Sequence, residues 1–213
     1  KVFGPEAQWR HRQREIVSTI LKGEDVFVVM PTGGGKSACF QVPAIIFGEL
    51  ADELTVIISP LIASMRDQVS SMKERGVWGV STYNSGLDEE ARSRVLQEVR
   101  TGWASMLYLA PEQLLNPMVQ EALFERGVRL MVIDEAHCMS EWGHDFRPEY
   151  RKIGQFLDDL ALERGEGEQR AQIAAFTATA SKAIQKDVTK ALKLTTKPID
   201  LGVRRPEIFP HIR

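Results

Sequence analysis

Short apolar runs recur along the chain and are separated by stretches with helical periodicity. The runs are four to five residues long, a length typical of buried strands and too short for helices. In one intervening stretch, Ala91, Val95 and Val99 lie four residues apart with charged residues opposite, the pattern of an amphipathic crossover helix. This alternation predicts an α/β fold with a doubly wound, mainly parallel sheet and helices on both faces. The predicted strands are residues 26–30, 55–59, 106–109, 129–133 and 172–176.

The overall composition narrows the class of protein. The chain has 213 residues, of which 43% are hydrophobic, enough for one sizeable core. Its net charge is only -2, which argues against a protein that holds nucleic acid by overall positive charge, so any strand contact must be local. The two cysteines, Cys39 and Cys138, suggest neither a disulfide framework nor a zinc site, which fits an intracellular, reducing compartment. No stretch approaches the roughly 18 to 20 apolar residues of a spanning helix, so we expect a soluble protein without a membrane partner.

A glycine-rich loop follows the first predicted strand and precedes a helical run that begins near Ser37. Consecutive glycines let backbone N–H groups converge on phosphate oxygens, and the N terminus of the following helix favours an anion. Lys36 adds a positive charge, and Ser37 offers a hydroxyl ligand for Mg2+. The strict loop pattern has glycine at the position of Met30, but the strand-loop-helix context favours phosphate binding over a chance turn. The residues predicted to bind ATP here are Thr32, Gly33, Gly34, Gly35, Lys36 and Ser37.

Two carboxylates follow the fourth predicted strand, which ends at Ile133. Asp134 is predicted to hold Mg2+ through water, and Glu135 to orient and deprotonate the attacking water. Taken alone, the segment could be an acidic turn at the end of a strand. A phosphate loop in the same sheet instead makes the two segments parts of one nucleotide site. We therefore predict catalytic roles for Asp134 and Glu135 together with Lys36.

These segments resemble known helicase motifs. Residues 134–137, Asp-Glu-Ala-His, resemble the DEAH form of the second helicase motif, and residues 30–37 are similar to the first motif of the RecQ DNA helicases. Residues 59–69 resemble the strand-contacting motif Ia of that family, residues 110–114 its next motif, and residues 176–180 motif III, which links hydrolysis to strand binding. The resemblance implies a RecA-like P-loop NTPase lobe that uses ATP and Mg2+. It also implies strand-binding or coupling roles for Ser59, Arg66, Thr177 and Thr179.

The segment that follows, residues 140–150, resembles the aromatic-rich loop that marks RecQ proteins among related helicases. Trp142 and Phe146 offer flat faces for unstacked bases, and Arg147 offers charge. Either ring could instead fill the domain core, although the neighbours of Trp142, a glutamate and a glycine, favour its exposure. The residues assigned to strand binding and coupling in this loop are Trp142, His144, Phe146 and Arg147.

His137 lies between the predicted base and this loop. The resemblance implies a catalytic role for it, as a relay between Glu135 and the aromatic loop. The alternative is a buried histidine whose hydrogen bonds serve only the fold.

Near the start of the chain, residues 3–4 and 9–13 resemble the family's adenine-recognition segment. A glutamine amide can pair with the edge of adenine and an arginine can stack on the ring, so the resemblance assigns ATP binding to Gln13 and Arg10. The family usually has an aromatic residue shortly after Phe-Gly, where this chain has proline and glutamate. Trp9 could instead cap the core.

The resemblance covers residues 3–213, but only the first of two RecA-like lobes. The chain begins with lysine rather than methionine, and residues 203–207 resemble the hinge that precedes the second lobe. We therefore expect a fragment of a longer polypeptide, with a first lobe at residues 1–203 and a hinge at residues 204–213. The second lobe of the family supplies an arginine finger worth about 10³ to 10⁵ in rate, so the first lobe alone should hydrolyse ATP barely, if at all.

The leading hypothesis is the ATP-binding lobe of a 3′ to 5′ DNA helicase of RecQ type. Its implied partners are single-stranded and forked DNA, the second RecA-like lobe and the C-terminal domains of the same protein, in a bacterial cytoplasm and nucleoid or a eukaryotic nucleus. One alternative is an ATP-gated clamp that holds a strand without unwinding. Another is an RNA helicase of the DEAD or DEAH groups, which the loop at residues 142–150 disfavours. ATPase stimulation by single-stranded DNA, compared with stimulation by RNA, discriminates these hypotheses.

Overall fold

The predicted apolar runs form strands of one parallel sheet. The structure is a computed structural model that describes residues 8–10, 12–164 and 170–201. The strands are β1 (Val26–Val29), β2 (Thr55–Ile58), β3 (Val80–Tyr83), β4 (Met106–Leu109), β5 (Leu130–Ile133), β6 (Gln172–Thr177) and β7 (Ile199–Asp200). Their spatial order is β3-β4-β2-β5-β6-β1-β7, and every pairing is parallel. The predicted α/β sheet is therefore confirmed.

Helices connect the strands, as parallel pairing requires. The helices are α1 (Gln13–Leu21), α2 (Lys36–Ala51), α3 (Ile62–Glu74), α4 (Glu89–Arg100), α5 (Pro117–Arg126), α6 (Pro148–Arg164) and α7 (Lys182–Ala191). Two short 3-10 helices, Pro111–Leu115 and Ala136–Met139, follow β4 and β5. None of the described helices is long and apolar enough to cross a membrane.

Each face of the sheet carries its own apolar cluster. Side chains alternate along β5, so that Leu130 and Val132 join a cluster with residues of α1, α2 and α3. Met131 and Ile133 join a second cluster with residues of α4, α5, α6 and α7. Because both faces are covered, the central strands are buried along their whole length and read as continuous apolar runs.

The strand β1 lies between β6 and β7. Val26 pairs with Ala174 and Val28 with Ile199, so both neighbours of β1 come from the last quarter of the described chain. This arrangement puts the segment after β1 next to the end of β6.

Two predicted segments lie outside the described residues: the first part of the adenine-recognition segment, residues 3–4, and the hinge at residues 204–213. The amphipathic helix predicted around Val95 is α4, with Leu96 and Val99 buried.

Candidate functional site

Three adjacent strands, β5, β6 and β1, bring the predicted catalytic segments to one edge of the sheet. The phosphate loop follows β1, and the carboxylate segment follows β5. Between them, Thr177 ends β6, and its carbonyl oxygen accepts a hydrogen bond of 2.9 Å from the backbone N–H of Met30. Ligands of parallel α/β sheets bind beyond the carboxyl ends of the strands, which is where these segments meet.

The phosphate loop has a backbone that requires glycine. Gly33 and Gly35 have φ angles of 77° and 83°, in the left-handed region that side chains disfavour. A Cβ on Gly34 would lie 2.7 Å from Cγ of Met30, so a side chain has no room there either. Helix α2 begins at Lys36, and none of the described side chains caps its N terminus. Its first backbone N–H groups are therefore open to an anion.

Gln13, predicted to recognise adenine, is buried against the phosphate loop. Its amide nitrogen donates to the carbonyl oxygens of Gly35 at 3.0 Å and Gly34 at 3.4 Å. Its amide oxygen accepts from the backbone N–H of Arg10 at 2.7 Å. Both amide donors are thus in use, and pairing with adenine requires one of them to be released. Arg10 and Trp9 are exposed, so Trp9 does not cap the core.

The two carboxylates stand beside Lys36. The side-chain nitrogen of Lys36 lies 3.5 Å from Oε1 of Glu135, which joins the phosphate loop to the segment after β5. Glu135 has a φ of 51°, a left-handed conformation that is rare for a residue with a side chain. Such backbone strain is concentrated at functional sites. The backbone N–H of Glu135 donates to Oδ1 of Asp134 at 3.1 Å.

The surroundings shift the pKa values of these two carboxyl groups in opposite directions. Burial, followed by repulsion from Glu135, raises the pKa of Asp134 to about 6. Burial also acts to raise the pKa of Glu135, but the hydrogen bond from His137 and the charge of Lys36 outweigh it and lower that pKa. Glu135 is consequently held ionised, and a pair of carboxyl groups pushed apart in this way can take different chemical roles.

His137 connects the carboxylates to β6. Its Nδ1 lies 2.8 Å from Oγ1 of Thr177 and 3.3 Å from Oε2 of Glu135. The Thr177 hydroxyl donates to the carbonyl oxygen of Thr179 at 3.1 Å, so it accepts from His137, and Nδ1 carries a proton. Contacts with the Cys138 sulfur and the Glu135 carboxylate raise the pKa of His137 to about 10. The opposite nitrogen, Nε2, lies 3.9 Å from Oδ2 of Asp145 in the aromatic loop.

The two aromatic rings of the loop, Trp142 and Phe146, differ in their exposure to solvent. Trp142 is 74% exposed, so it does not fill the core. Phe146 is half-buried, and the guanidinium carbon of Arg151 lies 5.5 Å from its ring centre. His144 is exposed. The loop therefore offers one free aromatic face and one that is already covered in part.

Arg147 ties this loop to the end of β2. Its backbone N–H donates to the carbonyl oxygen of Cys138 at 2.9 Å, and its guanidinium donates to the carbonyl oxygen of Pro60 at 3.2 Å. Pro60 belongs to the segment that resembles motif Ia. The aromatic loop and that segment are thus in direct contact.

The comparison with protein families agrees with this geometry. The family described as DEAD/DEAH box helicase matches residues 10–187, which contain the phosphate loop, the Asp-Glu-Ala-His segment and the aromatic loop. This chain belongs to the DEAD/DEAH box helicase family. The helicase resemblance inferred from the motifs is confirmed.

Curated relatives of this helicase chain are of RecQ type. It is 42% identical over 197 residues to the probable ATP-dependent DNA helicase RecS of Bacillus subtilis, covering 92% of this chain and 37% of that protein. It is 40% identical over 210 residues to the ATP-dependent DNA helicase RecQ of Synechocystis, covering 95% of this chain and 40% of that protein. The predicted RecQ resemblance is confirmed, and the chain spans about two fifths of the length of these relatives.

Solved helicase structures share the fold. The helicase domain of Pyrococcus furiosus Hef has a TM-score of 0.66 at 16% identity, over 92% of this chain and 38% of that one. The DUF1998 helicase MrfA bound to DNA and AMPPNP has a TM-score of 0.69 at 18% identity, over 89% of this chain and 26% of that one. These similarities confirm the predicted RecA-like lobe.

The structure exposes the residues predicted to bind or sense the nucleic acid strand to different degrees. Ser59 is only 1% exposed and lies near the Asp134 carboxylate. It lies directly after β2, which pairs with β5, so a strand-binding or coupling role for its side chain stays a prediction. Arg66 and Thr179 are exposed, as strand contacts need to be, whereas Thr177 is buried and contacts His137.

Tyr150 belongs to the site although no role was predicted for it. The residue is fully buried, and its hydroxyl donates to the carbonyl oxygen of Asp134 at 2.9 Å. It joins the start of α6 to the carboxylate segment. The sequence clue to Tyr150 is its phenol group, because the hydroxyl of a buried tyrosine normally finds a hydrogen-bond partner.

Proposed function

We propose that this chain is the ATP-binding lobe of an ATP-dependent 3′ to 5′ DNA helicase of RecQ type. The observation that carries the proposal is the 3.5 Å contact between Lys36 of the phosphate loop and Glu135. This contact brings together two segments that lie 99 residues apart in the chain, and the exposed Trp142 follows the second segment closely. The RecQ-type names of the relatives support the substrate, and the polarity is what that resemblance implies.

ATP would bind with its phosphates in the phosphate loop. The open N terminus of α2, the glycine backbone and the Lys36 ammonium all favour negative charge at that point. Arg10 would stack on adenine, and Gln13 would exchange one phosphate-loop hydrogen bond for the adenine edge. In this arrangement Gln13 connects base recognition to the shape of the loop.

Mg2+ would be held by the Ser37 hydroxyl and, through water, by Asp134. The Asp134 carboxyl group fits a cation, since burial and the charge of Glu135 raise its pKa and a neighbouring cation favours its ionised form. Hard oxygen ligands of this kind, completed by water and phosphate, are what Mg2+ prefers. When bound, the ion neutralises negative charge on the phosphates.

Glu135 would act as the base for hydrolysis. Its ionised carboxylate orients a water molecule and accepts the proton as the water oxygen attacks the γ-phosphorus, and the bond to the β-phosphate oxygen breaks to release ADP. His137 would hold the carboxylate in place through its protonated Nδ1, which also contacts Thr177. Because Nε2 of His137 faces Asp145, the same imidazole links the base to the aromatic loop.

Single-stranded DNA would lie across the carboxyl ends of the β-strands. Trp142 offers a face for a base, Phe146 and Arg147 support the loop, and the remaining contacts come from His144, Arg66 and Thr179. Residues 1–203 would form the first lobe and residues 204–213 a hinge. A second RecA-like lobe would supply the arginine finger, and C-terminal domains would engage forked DNA, in a bacterial nucleoid or a eukaryotic nucleus.

The proposal is tested on the full-length protein. ATP hydrolysis is measured without nucleic acid, with single-stranded DNA and with single-stranded RNA of the same sequence, and strand separation is followed on a forked DNA duplex. We expect stimulation by DNA and ATP-dependent unwinding. Stronger stimulation by RNA would favour the RNA-helicase alternative. Stimulation by DNA without strand separation would favour the ATP-gated clamp.

Replacing Trp142 with alanine is expected to leave basal ATP hydrolysis nearly unchanged and to remove most of its stimulation by DNA. A stacked base is worth about 1 to 3 kcal/mol, enough to lower strand-linked stimulation about tenfold. Because the side chain is 74% exposed, the variant should keep its melting temperature. Basal rate, stimulated rate and melting temperature are measured on one preparation.

Trp78→Ala is the matched control for Trp142→Ala. Trp78 is 72% exposed but precedes β3, at the end of the sheet away from the nucleotide site. Equal loss of basal and stimulated rates in Trp142→Ala, with a large drop in melting temperature, would contradict a role in coupling.

A further inference from the structure

The aromatic loop is anchored at its first residue. Ser140 follows the 3-10 helix Ala136–Met139 and is fully buried. Its hydroxyl donates to Oδ2 of Asp187 at 2.8 Å and accepts from the backbone N–H of Trp142 at 3.3 Å. The carbonyl oxygen of Ser140 accepts from the backbone N–H of Gly143 at 2.9 Å. The first turn of the loop is therefore organised around one side chain that Asp187 holds.

Asp187 comes from the helix that follows the motif III segment. Helix α7 begins after Ser181, whose hydroxyl accepts from the backbone N–H of Ile184 at 3.3 Å. A few residues earlier, Thr177 contacts His137 through its hydroxyl. The segment between His137 and Ser140 is thus fixed at both ends to one continuous unit, β6 at one end and α7 at the other.

This double attachment has a mechanical consequence. A base that pulls on Trp142 displaces the loop, and the displacement either breaks the Ser140–Asp187 hydrogen bond or moves α7 with the loop. Movement of α7 reaches Thr177 and His137 through the short segment before the helix. Because Ser140 is fully buried, water does not compete for this hydrogen bond, so the second course is favoured.

We propose that Asp187 is a positioning residue that holds the aromatic loop on α7 and so transmits strand binding to the hydrolytic site. The inference rests on the proposed function, because it concerns the coupling of that same site. In this role Asp187 would not need to touch nucleotide or nucleic acid. Its half-buried carboxylate acts through Ser140.

The test compares Asp187→Ala with Asp187→Asn in the full-length protein. The alanine variant loses the acceptor, and we expect its basal ATP hydrolysis to stay within about twofold of the parent while stimulation by oligothymidine falls about tenfold. The asparagine variant keeps an oxygen that accepts from Ser140, so it should recover most of the stimulation. Lys186→Ala, an exposed change on the same helix, is the matched control.

Ser140→Ala removes the same hydrogen bond from the other side. Ser140→Ala also removes the acceptor for the Trp142 backbone N–H, so if the bond to Asp187 is the coupling element, the double variant of Ser140 and Asp187 should be no worse than Ser140→Ala alone. Additive losses, or stimulation that survives in Asp187→Ala, overturn the inference while the proposed function stands. If basal and stimulated rates fall together in both single variants and the melting temperature is lowered, the role is purely structural. That result also overturns the inference. A parent protein that single-stranded DNA does not stimulate refutes the proposed function itself, and the inference with it.

Discussion

Replacing Lys36 with alanine is expected to lower the ATP hydrolysis rate of the full-length protein about 100-fold or more, with the fold left in place. The ammonium lies 3.5 Å from Glu135, where charge would develop on the transferred phosphoryl group. Removing one preorganised donor from such a site typically costs about 10² to 10³ in kcat. The lost ion pair is partly accessible to solvent, so unfolding free energy should fall by about 1 kcal/mol or less.

Steady-state hydrolysis at saturating DNA and thermal melting check this expectation. Lys22→Ala is the matched control, because Lys22 is exposed and lies before β1, at the opposite end of the strand from the phosphate loop. Near-normal turnover in Lys36→Ala would exclude the loop as the phosphate site. A loss of melting temperature far above the roughly 2 to 4 °C expected per kcal/mol would point to a structural role.

Replacing Glu135 with glutamine is expected to preserve nucleotide binding and to lower hydrolysis by about 10² to 10⁴. The amide keeps the size of the side chain and can still accept from His137 Nδ1, which lies 3.3 Å from the carboxylate. It cannot take a proton from water. Binding and chemistry should therefore separate in this variant.

Affinity for a non-hydrolysable ATP analogue is measured by calorimetry, and hydrolysis is measured in a single turnover. Glu90→Gln provides the control, since Glu90 is an exposed carboxylate on α4. An affinity loss in Glu135→Gln as large as that in Lys36→Ala would assign Glu135 to binding and leave the base unidentified.

The buried strands were predictable because parallel sheets covered on both faces produce continuous apolar runs. Five runs matched strands β1, β2, β4, β5 and β6 to within one residue at each end. The strand β3 was not predicted, since Val80 and Tyr83 flank the polar pair Ser81 and Thr82. β3 is one of the two edge strands and pairs with β4 only, so its sequence is less apolar than those of the central strands.

The local geometry of the site was less predictable than its composition. Lys36 and Glu135 could be predicted to share one site, because the carboxyl ends of parallel strands meet at one edge of the sheet. Nothing in the sequence showed that the Ser59 side chain is buried. Nor did it show that the Gln13 amide nitrogen donates both of its hydrogens to carbonyl oxygens of the phosphate loop. Such choices depend on side-chain rotamers and on contacts between segments far apart in the chain.

The position of β1 between β6 and β7 also sets an order for folding during synthesis. β2, β3, β4 and β5 all pair within residues 55–133, so that half of the sheet can form as soon as it leaves the ribosome. β1, made first, has no partner until residue 172 emerges, roughly 7 to 30 s later at about 5 to 20 residues per second. Through that interval α1 and α2 can cover one face of this apolar strand. The predicted nucleotide site, beside which the backbone of Met30 bonds to Thr177, is consequently assembled last, and under the proposed function a nascent chain would bind ATP only once nearly the whole lobe has been made.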